Sequence, residues 1–153
     1  VGITRPEAKK VIADYYDTYK GVRRYMEEVP LRAREHGYVR SIYGRIRPLP
    51  GISDRNANIR KAAEREAINM PIQGTASDIV KIAMLKVDEE FKREGIQAQL
   101  LMQVHDELLV EASAETAEEV AKILKREMET AVVLDVPLIV DVGIADNWMD
   151  AKP

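Results

Sequence analysis

Cysteine is absent from the 153 residues, which excludes a disulfide framework and any thiolate metal site. That absence agrees with a reducing, cytoplasmic compartment. No apolar run approaches the ~20 residues of a membrane-spanning helix, and no signal peptide opens the chain. Repeats and low-complexity stretches are missing as well. Nor is there an overall basic excess: the net charge is −3, which by itself argues weakly against a nucleic-acid binder. What remains is the apolar fraction and mixed charge of a globular chain, long enough for one domain with a sizeable core. Val1 is not a start methionine and helix signals begin at Thr4, so the sequence reads as a stretch from inside a longer protein.

The small net charge conceals a strong asymmetry. Residues 20–65 balance to +7, residues 87–153 to −10, and the other stretches to zero. A basic half points to a polyanionic partner. Arg23, Arg24, Arg32, Arg34, Arg40, Arg45 and Arg47, interleaved with Tyr25, Tyr38 and Tyr43, are the candidates for phosphate contact. An ordinary solvated basic face is the alternative reading.

Periodicity gives an α+β chain. Thr4 caps a first helix, with Glu7 completing a capping box, and Ala8, Val11, Ile12, Tyr15 and Tyr19 keep helical spacing to about Lys20. A second helix covers about Val22 to Glu35; Pro30 should kink or interrupt it and Gly37 should stop it. An arginine-rich, thinly apolar hairpin around Gly44 follows and is expected to be exposed. One helix is expected from about Asn58 to Asn69, ended or kinked by Pro71. Another should start at Thr75 or Ser77 and run to Glu94 before Gly95, with Ile79, Ala83, Val87 and Phe91 as its apolar stripe. Two apolar strands, Ala98–His105 and Glu107–Glu111, precede a helix capped by Ser113 or Thr116, and Leu138–Val142 alternates like a last strand. The sum is a small antiparallel sheet with helices on one side.

The most informative stretch is Gln103-Val104-His105-Asp106-Glu107-Leu108. It places two carboxylates and an imidazole where two apolar, apparently buried strands meet, and charges there are costly unless paired. A divalent cation is an economical partner, and a carboxylate-bound cation beside a histidine suggests phosphate chemistry. Neighbouring strand side chains point to opposite faces, so Asp106 and Glu107 address one ion only if the chain turns between them. An Asp serving its local turn is the bland alternative. A second constellation is Arg65, Asn69 and Gln73, at i, i+4 and i+8. If the backbone stays helical through Pro71, they line one face. Such a row offers forked hydrogen bonding without an acid or base, equipment for reading base edges and sugars. In the minor groove every base pair presents N3 or O2 acceptors, so the row could check pair shape without reading sequence. A merely polar helix face is the other possibility.

Together these motifs resemble family A DNA polymerases. Gln103–Leu108 resembles the family's last palm motif. Glu64-Arg65 with Asn69-Met70-Pro71-Ile72-Gln73-Gly74-Thr75-Ala76 resembles the segment before it, Gly37-Tyr38-Val39 with Gly44-Arg45 the hairpin upstream, and Val136–Leu138 through Asp146-Asn147-Trp148 the C-terminus. The likeness covers essentially the whole chain, in order. The resemblance implies that residues 1–60 are the C-terminal part of the fingers with the basic hairpin, and residues 61–153 the C-terminal part of the palm. It implies that Asp106 is a metal-binding catalytic aspartate, sharing two Mg²⁺ ions with an upstream aspartate that has no match here. Glu107 would be a secondary acid, and His105 would lie near the primer terminus. Arg65, Asn69 and Gln73 would contact the primer-template minor groove. The implied partners are primer-template DNA, deoxynucleoside triphosphates and the upstream remainder of the polymerase. The implied reaction is template-directed nucleotidyl transfer to a primer 3′-hydroxyl, with this chain inactive alone. Two other readings compete: a duplex-DNA-binding module without catalysis, and a metal-dependent nuclease of unrelated fold.

Overall fold

The protein is described from a computed structural model covering residues 2–151, with element order α1, α2, β1, β2, α3, β3, β4, α4. It forms two compact units, Val1–Thr75 and Ala76–Pro153.

In the first unit, α1 spans Arg5–Thr18. The Thr4 backbone N–H and hydroxyl both donate to Glu7 Oε2 at 2.7 Å, the expected capping box. Its apolar positions find no core: Val11, Ile12, Tyr15 and Tyr19 are all exposed. Helix α2, Lys20–His36, runs through Pro30, so of the expected kink or interruption the interruption does not occur. A proline removes one intrahelical donor, a loss that neighbouring turns can absorb. Gly37 ends the helix in the left-handed conformation (φ 77°), where a Cβ would be strained.

The hairpin pairs β1 (Tyr38–Arg40) with β2 (Ile46–Pro48), antiparallel, turning near Gly44. All of β2 is exposed, but Val39 and the flanking Leu49 are buried. They join Ala33 of α2, Ile52, Ala63 and Ala67 in one apolar cluster, with Val29 and Met70 against it.

Helix α3 corrects the expectation of two helices divided at Pro71: it is a single helix, Ala57–Glu94. Thr75 does not cap a new helix. Its hydroxyl donates back to the Pro71 carbonyl at 2.5 Å, the i−4 back-bond open to a mid-helix threonine. The expected stop does hold, with Gly95 at φ 68°.

In the second unit, β3 (Ala98–Val104) pairs antiparallel with β4 (Glu107–Ala112). Val87 and Phe91 of α3 pack with Val120, Ile123 and Leu124 of α4 (Ala117–Glu129), and Ala98, Leu100, Leu108, Val110 and Ala112 rest on that cluster. The register shifts between Leu100 and Met102, leaving Leu101 as a bulge. Past the bulge, Met102 opposes Leu109 and Gln103 opposes Leu108, so side-chain parity on β3 reverses. Among the buried groups is the Glu90 carboxylate, clamped by Arg93 one turn along α3 and by Arg126 of α4. Stripped of a partner, a carboxylate so buried would be strongly destabilising.

Leu138–Val142 is not a strand. Its alternation is real, but no ladder forms on it among the described residues. Side chains of α4 hold it instead: Lys125 Nζ donates to the Val140 carbonyl, and Glu129 Oε1 accepts from the Val140 N–H at 3.0 Å. The Lys125 ammonium and that N–H hold the Glu129 carboxyl below its ordinary value. A lowered folded value means the tether is complete above the ordinary carboxylate range and is lost as pH falls through the lowered one. Acidification is therefore expected to speed hydrogen exchange at Val140, relative to the intrinsic rate, before α4 itself loosens. Equal protection across that range would remove Glu129 from the tether.

Candidate functional site

Val104 pairs directly with Glu107, so His105 and Asp106 form a two-residue turn. Such turns need a positive φ at their first central position. His105 adopts it (φ 55°), as the only described non-glycine residue to do so. Histidine tolerates that region better than β-branched residues do. The turn is anchored by Gln103, whose Nε2 donates to the His105 carbonyl at 2.9 Å.

The turn places His105, Asp106 and Glu107 together at one tip, all exposed. This corrects the expectation of buried strands meeting there: no residue of β3 or β4 is fully buried, and Leu101 and Met102 are about half exposed. Helices cover only one face of the pair within this unit. The acids therefore do not need a cation to offset burial. They are available to one, because no hydrogen bond or ion pair engages either side chain among the described residues.

In the first unit, the unbroken α3 puts Arg65, Asn69 and Gln73 on one face at successive turns, each exposed. The helix through Pro71, on which that reading depended, is present. All three side chains are free of intramolecular partners among the described residues. The basic segment is different. Arg23 pairs with Asp17, Arg24 and Arg32 with Glu28, Arg34 with Glu64, and Arg47 with Glu66. Much of its positive charge is thus locally compensated.

The family model for DNA polymerase family A matches residues 1–150. This chain belongs to DNA polymerase family A. It is 50% identical over 152 residues to DNA polymerase I of Deinococcus radiodurans, covering 99% of this chain and 16% of that protein. Identity to DNA polymerase I of Streptococcus pneumoniae is 46%, over 99% of this chain and 17% of that one. Among solved structures, the polymerase domain of Pol1 from M. smegmatis, in complex with DNA primer-template and dNTP, superposes with a TM-score of 0.91 at 44% identity. The match covers 97% of this chain and 26% of that one. A nuclease of unrelated fold is thereby set aside. The chain spans about a sixth of the length of these curated relatives.

The family uses divalent metal ions, and the donors at the turn suit one: carboxylate oxygens are the hard ligands Mg²⁺ prefers. The described residues contain no group of three or more His, Cys, Asp or Glu placed to hold an ion. Asp106 and Glu107 therefore do not make up a complete ligand set by themselves among the described residues. No described helix is long and apolar enough to cross a membrane.

Pattern reading missed two contacts beside the row. The Tyr25 hydroxyl donates to the Ile68 carbonyl of α3 at 2.7 Å. Burial pushes this phenol above its ordinary value, which keeps it a donor. Thr75 Oγ1, besides bonding Pro71, accepts from the Ile42 N–H at 3.1 Å. No sequence signal pointed to either: the donor missing at Pro71 orphans the Ala67 carbonyl, which neither contact serves.

Proposed function

We propose that this chain is the C-terminal fingers and palm portion of a cytoplasmic DNA-directed DNA polymerase, with residues 1–60 on the fingers side and 61–153 in the palm. The observation that carries the reading is the exposed, unengaged Asp106 at a two-residue turn, in a chain of this family. The substrates are primer-template DNA and deoxynucleoside triphosphates, and the upstream remainder of the polymerase is the covalent partner. Asp106, with Glu107 in a secondary role, would hold two Mg²⁺ ions together with an aspartate supplied upstream. When bound, such ions lower the pKa of the primer hydroxyl and neutralise charge on the leaving pyrophosphate.

The chain's own residues do the rest. The left-handed backbone at His105 turns the chain so that Asp106 stands clear at the hairpin tip. His105 presents its imidazole beside that carboxylate, toward the primer terminus. Arg65, Asn69 and Gln73 donate to minor-groove N3 and O2 acceptors at the newly formed pairs. These acceptors keep their positions in every correctly shaped pair, so the row senses geometry without reading sequence. Holding the primer end still converts the transfer into an effectively unimolecular step.

One carboxylate cannot supply the oxygen ligands that two ions require. The isolated chain is therefore expected to bind duplex DNA in a salt-dependent manner and to give no primer extension at any Mg²⁺ concentration. A titration across salt combined with a gel extension assay checks both points. Extension by the fragment would refute the shared metal site, and binding indifferent to salt would refute phosphate contact.

A further inference from the structure

Pro71 lies inside the row that α3 presents, between Asn69 and Gln73. It lacks the N–H that would bond the Ala67 carbonyl, and its ring crowds that carbonyl. The helix is thus intrinsically free to bend where Arg65, Asn69 and Gln73 must keep a fixed spacing. Two contacts bracket the weak turn. Before it, Tyr25 of α2 donates to the Ile68 carbonyl at 2.7 Å. After it, the Thr75 hydroxyl donates to the Pro71 carbonyl at 2.5 Å while accepting from Ile42 N–H at 3.1 Å. Ser41 of the hairpin also lies beside Gly74: a Cβ built on that glycine would stand 3.6 Å from Ser41 Cβ, ordinary contact distance. The hairpin turn therefore seats directly on the turn of α3 that follows the proline, and α2 grips the turn before it.

We propose that Tyr25 and Thr75 are positioning residues that hold the course of α3 across Pro71 and thereby the spacing of the Arg65–Asn69–Gln73 row against the minor groove. Neither touches DNA in this account. Each acts through the backbone on which the row stands. The inference rests on the minor-groove role of the row proposed above, and its test separates the two.

The experiment uses the full-length polymerase and two primers, one natural and one with 3-deazaguanine at its terminal guanine. The analogue replaces the N3 acceptor by C–H and leaves Watson–Crick pairing intact. Gln73→Ala, Tyr25→Phe, Thr75→Val and Thr75→Ser are compared by kcat/KM at equal folded fraction. On natural primer, Tyr25→Phe and Thr75→Val each lower kcat/KM by roughly three- to tenfold, the worth of one hydrogen bond. Thr75→Ser, which keeps the hydroxyl, stays within about twofold of the parent. On the deaza primer the losses from Tyr25→Phe, Thr75→Val and Gln73→Ala all shrink toward unity, because the contact they serve is already gone. Losses of equal size on both primers, or none on either, would overturn the positioning role while Gln73→Ala keeps its primer dependence. If Gln73→Ala is itself indifferent to the analogue, the minor-groove reading fails first, and the positioning role with it.

Discussion

Replacing Asp106 by alanine in the full-length polymerase is expected to abolish primer extension while leaving DNA binding within about twofold of the parent. The side chain is exposed and makes no intramolecular hydrogen bond or ion pair among the described residues, so its loss leaves no unpaired group behind. The turn keeps its shape, because His105 supplies the positive φ and Gln103 supplies the anchoring bond. At the proposed metal site the loss is of negative charge that would hold the cations, a contribution worth several kcal/mol of transition-state stabilisation, or a rate loss of roughly a thousandfold or more. Single-turnover extension with a saturating primer-template measures it, with filter binding as the control. A rate within tenfold of the parent would show that the metal site does not include this carboxylate. Glu107→Ala, one residue on, should cost far less.

The second large effect concerns stability. Phe91 is only 4% exposed, and it packs with Val87 of its own helix and with Val120, Ile123 and Leu124 of α4. Phe91→Ala is expected to cost about 3–5 kcal/mol locally, through lost burial plus the cavity left behind. Leu100, Leu108 and Val110 rest on the same cluster, so the hairpin that carries Asp106 loosens with it. In the full-length polymerase the change should raise amide hydrogen exchange in β3, β4 and α4 by two orders of magnitude or more, with the first unit's amides unaffected. Phe91→Leu, which restores most of the volume, should recover most of the protection. Unchanged exchange in β3 and β4 would mean that the hairpin is held by something other than this cluster.

Local chemistry was the legible part of the sequence. The Thr4–Glu7 capping box, the stops at Gly37 and Gly95 and the register of Arg65, Asn69 and Gln73 follow from rules that span four residues at a time, and all are present. A turn at Asp106 was legible for the same reason, although His105, expected to end the first strand, belongs to the turn. The failures sit where a tertiary partner decides. Pro71 disfavours a helix in isolation, yet α3 continues through it, and hydroxyls of Tyr25 and Thr75 bond the Ile68 and Pro71 carbonyls on either side. Leu138–Val142 alternates like a strand, but a strand needs a neighbour's ladder and here α4 supplies two side chains instead. The apolar runs about the turn suggested burial on both faces, whereas helices of this unit cover only one. Membership of the family was legible because several motifs occur in one order over nearly the whole chain.

The bulge at Leu101 shifts the pairing of β3 on β4 between Leu100 and Met102. With pairing offset by a single residue, Ala98 and Leu100 lie on the cluster side, while beyond it Gln103 takes the place opposite Leu108 and Met102 and Val104 turn outward. The orientation of the His105–Asp106 tip relative to the base of its own hairpin is thus written as an inserted amino acid, not as a particular choice of side chain. Point substitutions along β3 can drift without reversing it, whereas an in-frame loss of a single codon there would flip the ribbon's far end at a stroke.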